Sequence, residues 1–291
     1  MMTEMSVSPH IGKVTLTVHD LEGVGAFYQE VIGLHLLYGD GETRTLGVGE
    51  APLLELRRDA AARRHSHRDA GLFHTAFLLP TRPDLARWLG FAAAKGMRLQ
   101  GASDHLVSEA IYLADPEGNG IEVYADRPRG QWNWTNGAVA MSTEALDTDN
   151  LLAAAGDAPW RGFPEGGIVG HVHLQVGALP QAEAFYAGLL GLDITTHYPG
   201  ATFYSWGGYH HHIAGNVWNS RNAPPRVEPT TGLADVEIIM PQAAMIDAVR
   251  VRAAEAGAPV ENTPAGLRLH DPWRTAITLS RHSSAAQRMP A

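Results

Sequence analysis

The chain of 291 residues contains no cysteine. This absence excludes disulfide scaffolds, thiol catalysis, iron–sulfur clusters and cysteine-ligated zinc. Strong charge of one sign is also missing, and the formal net charge of −9 argues against nucleic acid or an anionic membrane as a partner. No apolar run approaches the roughly 20 residues that a membrane span needs. The opening segment MMTEMSVSPH has neither a basic region nor an apolar core, so we expect no secretory signal and a soluble, cytoplasmic protein.

Histidine, in contrast, is abundant, with 15 residues in a chain that is 45% hydrophobic. The hydrophobic content excludes a disordered chain, and the length predicts about two domains of roughly 150 residues each. Histidine is the side chain that serves both as a metal ligand and as an acid or base near neutral pH. The placement of the histidines is therefore the main functional signal.

The sequence repeats itself at a constant offset. Five positions of the first segment recur in the second half: Gly12, Phe27, Tyr28, Gly33 and Leu34 return as Gly170, Phe185, Tyr186, Gly191 and Leu192. A second pair of similar segments is GLFHTAFLLP at 71–80 and GLADVEIIMP at 232–241. These repeats divide the chain into four modules: one (8–58), two (70–126), three (166–220) and four (230–281).

Each module has the pattern of a βαβββ unit. In module one, Val14, Leu16 and Val18 alternate with polar residues as in a half-buried strand. A helix follows, with Asp20 as its expected N-cap and Gly33 at its C-terminal end. One module cannot bury both its helix and its strand face, so modules must pair. We therefore predict an α+β fold in which four βαβββ modules pair into two curved sheets, or cups.

The same pattern predicts the domain organisation. We expect an N-terminal domain of two modules at 8–126 and a C-terminal domain of two modules at 166–283. The segment 127–165 breaks the module pattern, and its tryptophans predict an ordered strap that packs on the sheets. We expect Trp132 and Trp134 to be structural, and a short helix at 149–155.

The strands that open the modules differ in one informative position. In module three, His171 and His173 share one strand face. Module two has His74 at the corresponding place, whereas module one has Lys13 and module four has Asp235. A third histidine cluster, at 210–212, falls on a segment that we expect to be a strand.

Module two ends with the pattern H-x5-apolar-Y-x2-D-P-x-G-x3-E, which runs from His105 through Tyr112 to Glu122. This pattern resembles the signature of type I extradiol ring-cleavage dioxygenases in the vicinal oxygen chelate superfamily. The four βαβββ modules resemble the same superfamily, and the two-domain bacterial catechol-2,3-dioxygenases are the nearest resemblance.

The resemblance implies a metal centre with two histidines and one glutamate. Carried over residue by residue, it implies His74, Glu122 and His171 as the ligands, with His173 as a rival of His171 on the same face. Two imidazoles and one carboxylate leave adjacent coordination positions open on Fe(II), and Mn(II) suits the same set.

The resemblance also implies catalytic and substrate-binding residues. His211 corresponds to the acid–base histidine, although strand alternation leaves His210 and His212 as alternatives. His105 and Tyr112 correspond to the residues that contact the catecholate. The expected substrate-binding residues are His173, His212, Tyr124 and Trp218.

Two ways of pairing the modules are compatible with the sequence. If modules two and three pair, one cup holds the complete ligand set, and modules one and four form a vacant cup. Sequential pairing instead places Lys13, His74 and Glu122 in one cup, and His171, Asp235 and a histidine from 210–212 in the other. Neither of these sets matches a site of two histidines and one carboxylate as well as His74, Glu122 and His171 do, so we favour the pairing of modules two and three.

The resulting functional prediction is an Fe(II)-dependent extradiol dioxygenase that inserts O2 into catechol or a substituted catechol. Its partners would be a small aromatic diol and O2, and exposed sheet edges are compatible with a homo-oligomer. One alternative is a glyoxalase-type metal-dependent isomerase, for which Glu55 could supply a second carboxylate. The other is a metal-free protein that binds a small molecule such as an antibiotic.

Overall fold

The structure is a computed structural model that describes residues 8–281. Most of the opening segment considered above for a secretory signal, residues 1–7, lies outside the described residues. So do residues 282–291, which include His282 and the end of the expected C-terminal domain. Within 8–281, no helix is both long and apolar enough to cross a membrane.

All four modules have the expected order of one strand, one helix and three strands. Module one contains β1 (His10–Val18), α1 (Leu21–Phe27, continued by a π-helical turn at Tyr28–Ile32), β2 (His35–Gly39), β3 (Thr43–Val48) and β4 (Ala51–Arg58). Module two contains β5 (Gly71–Leu78), α2 (Arg82–Ala94), β6 (Gly101–Asp104), β7 (Ser108–Ala114) and β8 (Gly120–Asp126).

The strap between the halves contains short elements only. It consists of a 3-10 turn (Arg129–Gln131), β9 (Trp134–Thr135), β10 (Ala138–Val139), β11 (Glu144–Ala145) and α3 (Thr148–Ala153).

The second half repeats the architecture of the first. Module three contains β12 (Ile168–Gln175), α4 (Leu179–Glu183, continued by a π-helical turn at Ala184–Leu189), β13 (Asp193–Tyr198), β14 (Ala201–Ser205) and β15 (Ile213–Asn216). Module four contains β16 (Gly232–Ile239), α5 (Ala243–Glu255), β17 (Glu261–Thr263), β18 (Gly266–His270) and β19 (Ala276–Ser280).

The modules pair across the two halves of the sequence. A nine-stranded sheet has the order β11-β6-β7-β8-β5-β12-β15-β14-β13, so it joins modules two and three through the antiparallel pair β5–β12. An eight-stranded sheet has the order β17-β18-β19-β16-β1-β4-β3-β2, and it joins modules one and four through β1–β16. The α+β prediction is confirmed, and so is the pairing of module two with module three.

Local sequence signals explain the helix ends. The Asp20 carboxylate accepts a hydrogen bond from the backbone N–H of Gly23, and Gly33 ends the helical segment at φ +85°. Thr81 caps α2 in the same way, through Asp84. The left-handed conformation at Gly33 is open to glycine at little cost because it has no Cβ.

One hydrophobic cluster ties the modules together. It includes fully buried residues from every module, among them Val14, Phe77, Val172 and Val236. Trp88 of α2 is fully buried, and its indole N–H donates to the carbonyl of Val31 at 2.9 Å. The two sheets therefore share one apolar core.

The strap is ordered and adds to the edge of the nine-stranded sheet. Its β11 pairs with β6, and its helix begins at Thr148 and ends at Ala153, close to the predicted 149–155. Trp132 is buried and donates its indole N–H to the carbonyl of Arg127, whereas the side chain of Trp134 is 40% exposed. The strap thereby reaches the open side of the cup that modules two and three form.

Candidate metal centre

Three side chains meet on one face of the nine-stranded sheet. His74 projects from β5, Glu122 from β8 and His171 from β12, and these strands are direct neighbours. The Glu122 Oε2 atom lies 2.9 Å from His74 Nε2 and 3.2 Å from His171 Nε2, and the two Nε2 atoms are 3.4 Å apart. All three residues are buried. On β5, Ala76 pairs with both Glu122 and His171, and His74 lies two residues before it on the same face, so the strand register places the three side chains around one point.

These separations match those of metal ligands. Ligand atoms at about 2.1 Å from a divalent ion and at right angles to one another are about 3 Å apart. Burial by itself raises the pKa of Glu122, but His171 and His74 outweigh it and hold the pKa of the carboxyl well below its usual range. Burial lowers the pKa of His171 to about 4 despite the attraction of Glu122. An ionised carboxylate and a neutral imidazole are the states that ligate metal, so the residues fit a divalent ion.

The site opens into a cavity of about 230 Å³ that holds most of the other predicted site residues. His105, Tyr112, His173, His211 and Trp218 all line it, together with the three candidate ligands. The arrangement brings two imidazoles and a carboxylate to the wall of a cavity that aromatic side chains, a methionine and small hydroxyl residues also line.

His105 and Tyr112 form a hydrogen-bonded pair in this cavity. His105 Nδ1 lies 2.6 Å from the carbonyl oxygen of Ser142, so Nδ1 carries the proton and donates. In the neutral ring, Nε2 then accepts from the Tyr112 hydroxyl, 2.6 Å away. Burial, and then the charge of Glu122, raises the pKa of Tyr112 well above its usual range, so the phenol keeps its proton.

His173 presents a polar atom with no partner to this region. Its ring packs between Phe73 and Trp218, at centroid distances of 5.0 and 5.4 Å. Within residues 8–281, its buried Nε2 has no hydrogen-bond partner. Burial lowers the pKa of His173 well below its usual range, so the ring is neutral. A buried polar atom without a partner is costly, and a bound polar group would relieve that cost.

The segment 210–212 is a loop, which corrects the strand expected there. Gly207 and Gly208 both have positive φ, +62° and +67°, and they turn the chain after β14. The Thr195 hydroxyl then donates a hydrogen bond to the carbonyl of His210 at 2.6 Å, and β15 begins only at Ile213. Alternation does not apply in such a loop, so side-chain directions are set by individual contacts.

These contacts separate His211 from His212. His211 lines the cavity, with its ring centroid 4.0 Å from that of His171. His212 points elsewhere: its Nδ1 accepts from the backbone N–H of Trp206 and lies 2.9 Å from Ser205 Oγ. The structure therefore does not bring His212 to the cavity.

Tyr124 also lies outside the cavity lining. It packs on His171 at a centroid distance of 4.9 Å, and its hydroxyl is 2.8 Å from that of Tyr209. It packs against the candidate ligand His171, whereas the expectation was direct contact with substrate.

Several cavity residues had no signal in the sequence. Met141, Ser142 and Thr143 of the strap line the cavity, although no motif marks them. Tyr198 and Phe203 come from the two hairpin strands of module three. Phe73 is the exception, since its position beside His74 on a strand end could have indicated a place at the cavity mouth.

The eight-stranded sheet carries an ion-pair cluster at the equivalent place. Thr15 pairs with both Glu55 and Asp235, as Ala76 of the other sheet pairs with both Glu122 and His171. Lys13, Glu55 and Asp235 thus hold the positions of His74, Glu122 and His171. Lys13 forms a salt bridge with Glu55, and Asp235 accepts from Thr278 at 2.7 Å and pairs with Arg268 at 2.9 Å. A protonated ammonium cannot ligate a cation, so this set is not a metal centre.

The chain matches the family model described as Glyoxalase/Bleomycin resistance protein/Dioxygenase superfamily over residues 10–123 and 168–266. It is 41% identical over 276 residues to the catechol-2,3-dioxygenase of Bacillus subtilis (strain 168), an alignment that covers 93% of this chain and 96% of that protein. Biphenyl-2,3-diol 1,2-dioxygenase 3 of Rhodococcus globerulus is 27% identical over 173 residues, covering 55% of this chain and 87% of that protein.

A solved structure, glyoxalase I from Zea mays, superposes with a TM-score of 0.57 and 16% identity, covering 94% of this chain and 92% of that chain. At this identity the likeness concerns the fold. The two ranges that match the family model fall within the modules, and they leave out the strap.

Proposed function

Because the chain belongs to the glyoxalase/bleomycin resistance protein/dioxygenase superfamily, we propose that it is an extradiol ring-cleavage dioxygenase that inserts O2 into catechol or a substituted catechol. The observation that carries the proposal is the convergence of His74, Glu122 and His171 in a cavity that also holds His105 and Tyr112. The 41% identity to a protein named catechol-2,3-dioxygenase supports the same reaction class.

The proposed cofactor is one Fe(II) ion, held by His74, Glu122 and His171. Two imidazoles and one carboxylate on one face are typical of non-haem iron oxygenases, and Mn(II) has compatible ligand preferences. When bound, such an ion supplies a route for electrons from an aromatic diolate to O2, a transfer that spin otherwise makes slow.

The protein's own residues would bind the diol and move its protons. His211 is the proposed base for a catechol hydroxyl, and it would later return the proton as an acid. His173 Nε2, buried without a partner, is the proposed contact for a substrate oxygen. The Tyr112 hydroxyl, oriented by His105, is a second such contact. Removal of water by the apolar walls strengthens each of these polar contacts.

The cavity walls point to an uncharged catechol. Phe73, Met141, Phe203 and Trp218 contribute apolar surface, and no Lys or Arg is among the described residues that line the cavity. A carboxylate on the substrate ring would lose its hydration there without gaining a cationic partner. We therefore propose catechol itself, or a catechol with an apolar substituent, as the substrate class.

The first test is oxygen consumption by the iron-loaded protein. We expect the consumption of one O2 per catechol and the formation of a ring-opened aldehyde acid. The same assay after loading with Fe(II) or with Mn(II) identifies the active metal. Protein that holds one metal per chain but consumes no oxygen with any neutral catechol would overturn the proposal.

A carboxylated catechol provides the specificity test. We expect its kcat/KM to be at least about 10-fold below that of catechol, because a charged group left unpaired in the cavity costs more than the roughly 1–3 kcal/mol of a neutral polar group. Methylcatechol, with an apolar group of similar reach, is the matched control and should retain the kcat/KM of catechol. Equal kcat/KM for the carboxylated and the methylated substrate would refute the proposed substrate class.

Neither alternative function gains an observation in its favour. The glyoxalase-type isomerase needed Glu55 as a second carboxylate, but Glu55 lies on the eight-stranded sheet, paired with Lys13. A metal-free binding protein would have no use for a buried set of two imidazoles and a carboxylate, which is expensive to maintain without an ion.

A further inference from the structure

A hydrogen-bonded chain leads away from the cavity behind His211. His211 Nδ1 lies 2.7 Å from His210 Nδ1, and His210 Nε2 lies 2.9 Å from the Asp126 Oδ1 atom. Asp126 ends β8, the strand that carries Glu122. Its side chain is 23% exposed and lines a second cavity on the other side of His210.

The protons of this chain can be assigned from its acceptors. A carboxylate oxygen only accepts, so His210 Nε2 must carry a proton and donate it to Asp126. In neutral His210, Nδ1 is then a lone pair. With His210 neutral, the contact at 2.7 Å needs one donor, and His211 Nδ1 is that donor. The neutral His211 ring is left with an unprotonated Nε2.

The free nitrogen is the one that can act in the cavity. His211 lines the cavity, and its Nδ1 is already used by His210, so Nε2 is the atom that remains for substrate. A base must present a lone pair to the proton that it accepts. In the opposite tautomer, His211 would present an N–H to the substrate and could not accept its proton.

Neighbouring residues hold the His210 ring in the orientation that this proton assignment requires. It stacks on Tyr209 at a centroid distance of 4.1 Å and contacts Trp132 of the strap at 5.2 Å. Its own carbonyl accepts the Thr195 hydroxyl at 2.6 Å. The ring is fully buried, so water does not compete for its nitrogens.

We propose that Asp126 and His210 are positioning residues that hold His211 in the tautomer with its unprotonated Nε2 toward the substrate cavity. This role rests on the proposed function, in which His211 is the base for a catechol hydroxyl. Neither residue touches the substrate, and both act through His211. The Asp126 carboxylate selects one tautomer over the other because it can only accept a hydrogen bond.

The test compares Asp126→Leu with Asp126→Asn in the full chain. Leucine removes the acceptor for His210 Nε2, whereas the amide oxygen of asparagine still accepts from it. The partial exposure of the Asp126 side chain allows either substitution without filling or emptying the core. Histidine ring 15N shifts of the Zn(II)-loaded protein report each tautomer directly, and steady-state kinetics of the iron-loaded protein report kcat and KM for catechol.

We expect the wild type to show protons on His210 Nε2 and His211 Nδ1. In Asp126→Leu, the Nδ1-protonated fraction of His211 falls, and kcat drops about 10- to 100-fold, the range found for partners behind a reacting group, while KM is unchanged. Asp126→Asn restores the wild-type tautomer and most of kcat.

A wild-type proton on His211 Nε2 would overturn the inference. So would an Asp126→Leu variant with the wild-type tautomer and kcat, or an Asp126→Asn variant that is no better than Asp126→Leu. If the wild type cleaved no catechol, the proposed function would fall, yet the nitrogen shifts would still decide which tautomer Asp126 selects.

Discussion

Replacement of Glu122 by Gln is expected to abolish ring cleavage and to lower metal affinity by at least about 100-fold. The amide keeps the shape of the side chain but removes the only charge among the three proposed ligands, and loss of a hydrogen-bond partner behind a metal ligand already costs about 10- to 100-fold. The measurements are the metal content after anaerobic loading with Fe(II), a titration with Zn(II), and oxygen uptake with catechol.

The matched control for this variant lies in the other sheet. Glu55 holds the position of Glu122 in the eight-stranded sheet, paired with Lys13. We expect Glu55→Gln to retain one metal per chain and full oxygen uptake. A Glu122→Gln protein that still held one equivalent of tightly bound metal would contradict the ligand assignment, and so would metal loss in the Glu55→Gln control.

Replacement of His211 by Asn is expected to lower kcat by about 10²- to 10⁴-fold, the usual contribution of a positioned acid or base. Metal content should not change, because His211 packs on His171 without being one of the three converging ligands. Steady-state kinetics with catechol, combined with metal analysis of the same samples, separates the two effects.

His197→Asn is the control for the removal of a histidine that does not line the cavity. The His197 side chain is 67% exposed and contacts only Glu183 among the described ion pairs. Its kcat should equal that of the wild type. The role of His211 would be refuted by a His211→Asn variant that kept wild-type kcat, and equally by one whose activity loss matched its loss of metal.

The convergence of His74, Glu122 and His171 could be predicted from the sequence because strands carry all three residues. A strand alternates its faces strictly, so one histidine of known direction places its neighbours two residues away. That rule placed His171 and His173 on one face, but it could not choose between them. The choice depends on distance across the sheet: His171 Nε2 lies 3.2 Å from Glu122, whereas the Nε2 atom of His173 has no partner within residues 8–281.

The remaining cavity residues could not be predicted because a loop, the strap and strands of another module supply them. Two consecutive left-handed glycines turn the chain before His210, which cancels the alternation expected for 210–212. His212 consequently bonds to the backbone N–H of Trp206 and leaves the cavity. The strap residue Ser142 contacts His105 across a separation of 37 residues, and no local pattern encodes such a contact.

The crossed pairing of the modules has a consequence for when the protein can fold. Strand β1 finds its partner β16 only near the end of the chain, with His10 opposite Ile239, and His74 meets a residue 97 positions later. During synthesis, β1 can pair early with β4 of its own module, but its other edge stays unpaired until β16 has been made, and such distant pairings make folding slow. A single cut in the strap would yield two fragments, each of which contains about half of the strands of both sheets. Neither fragment alone would contain all of His74, Glu122 and His171, but the two together would.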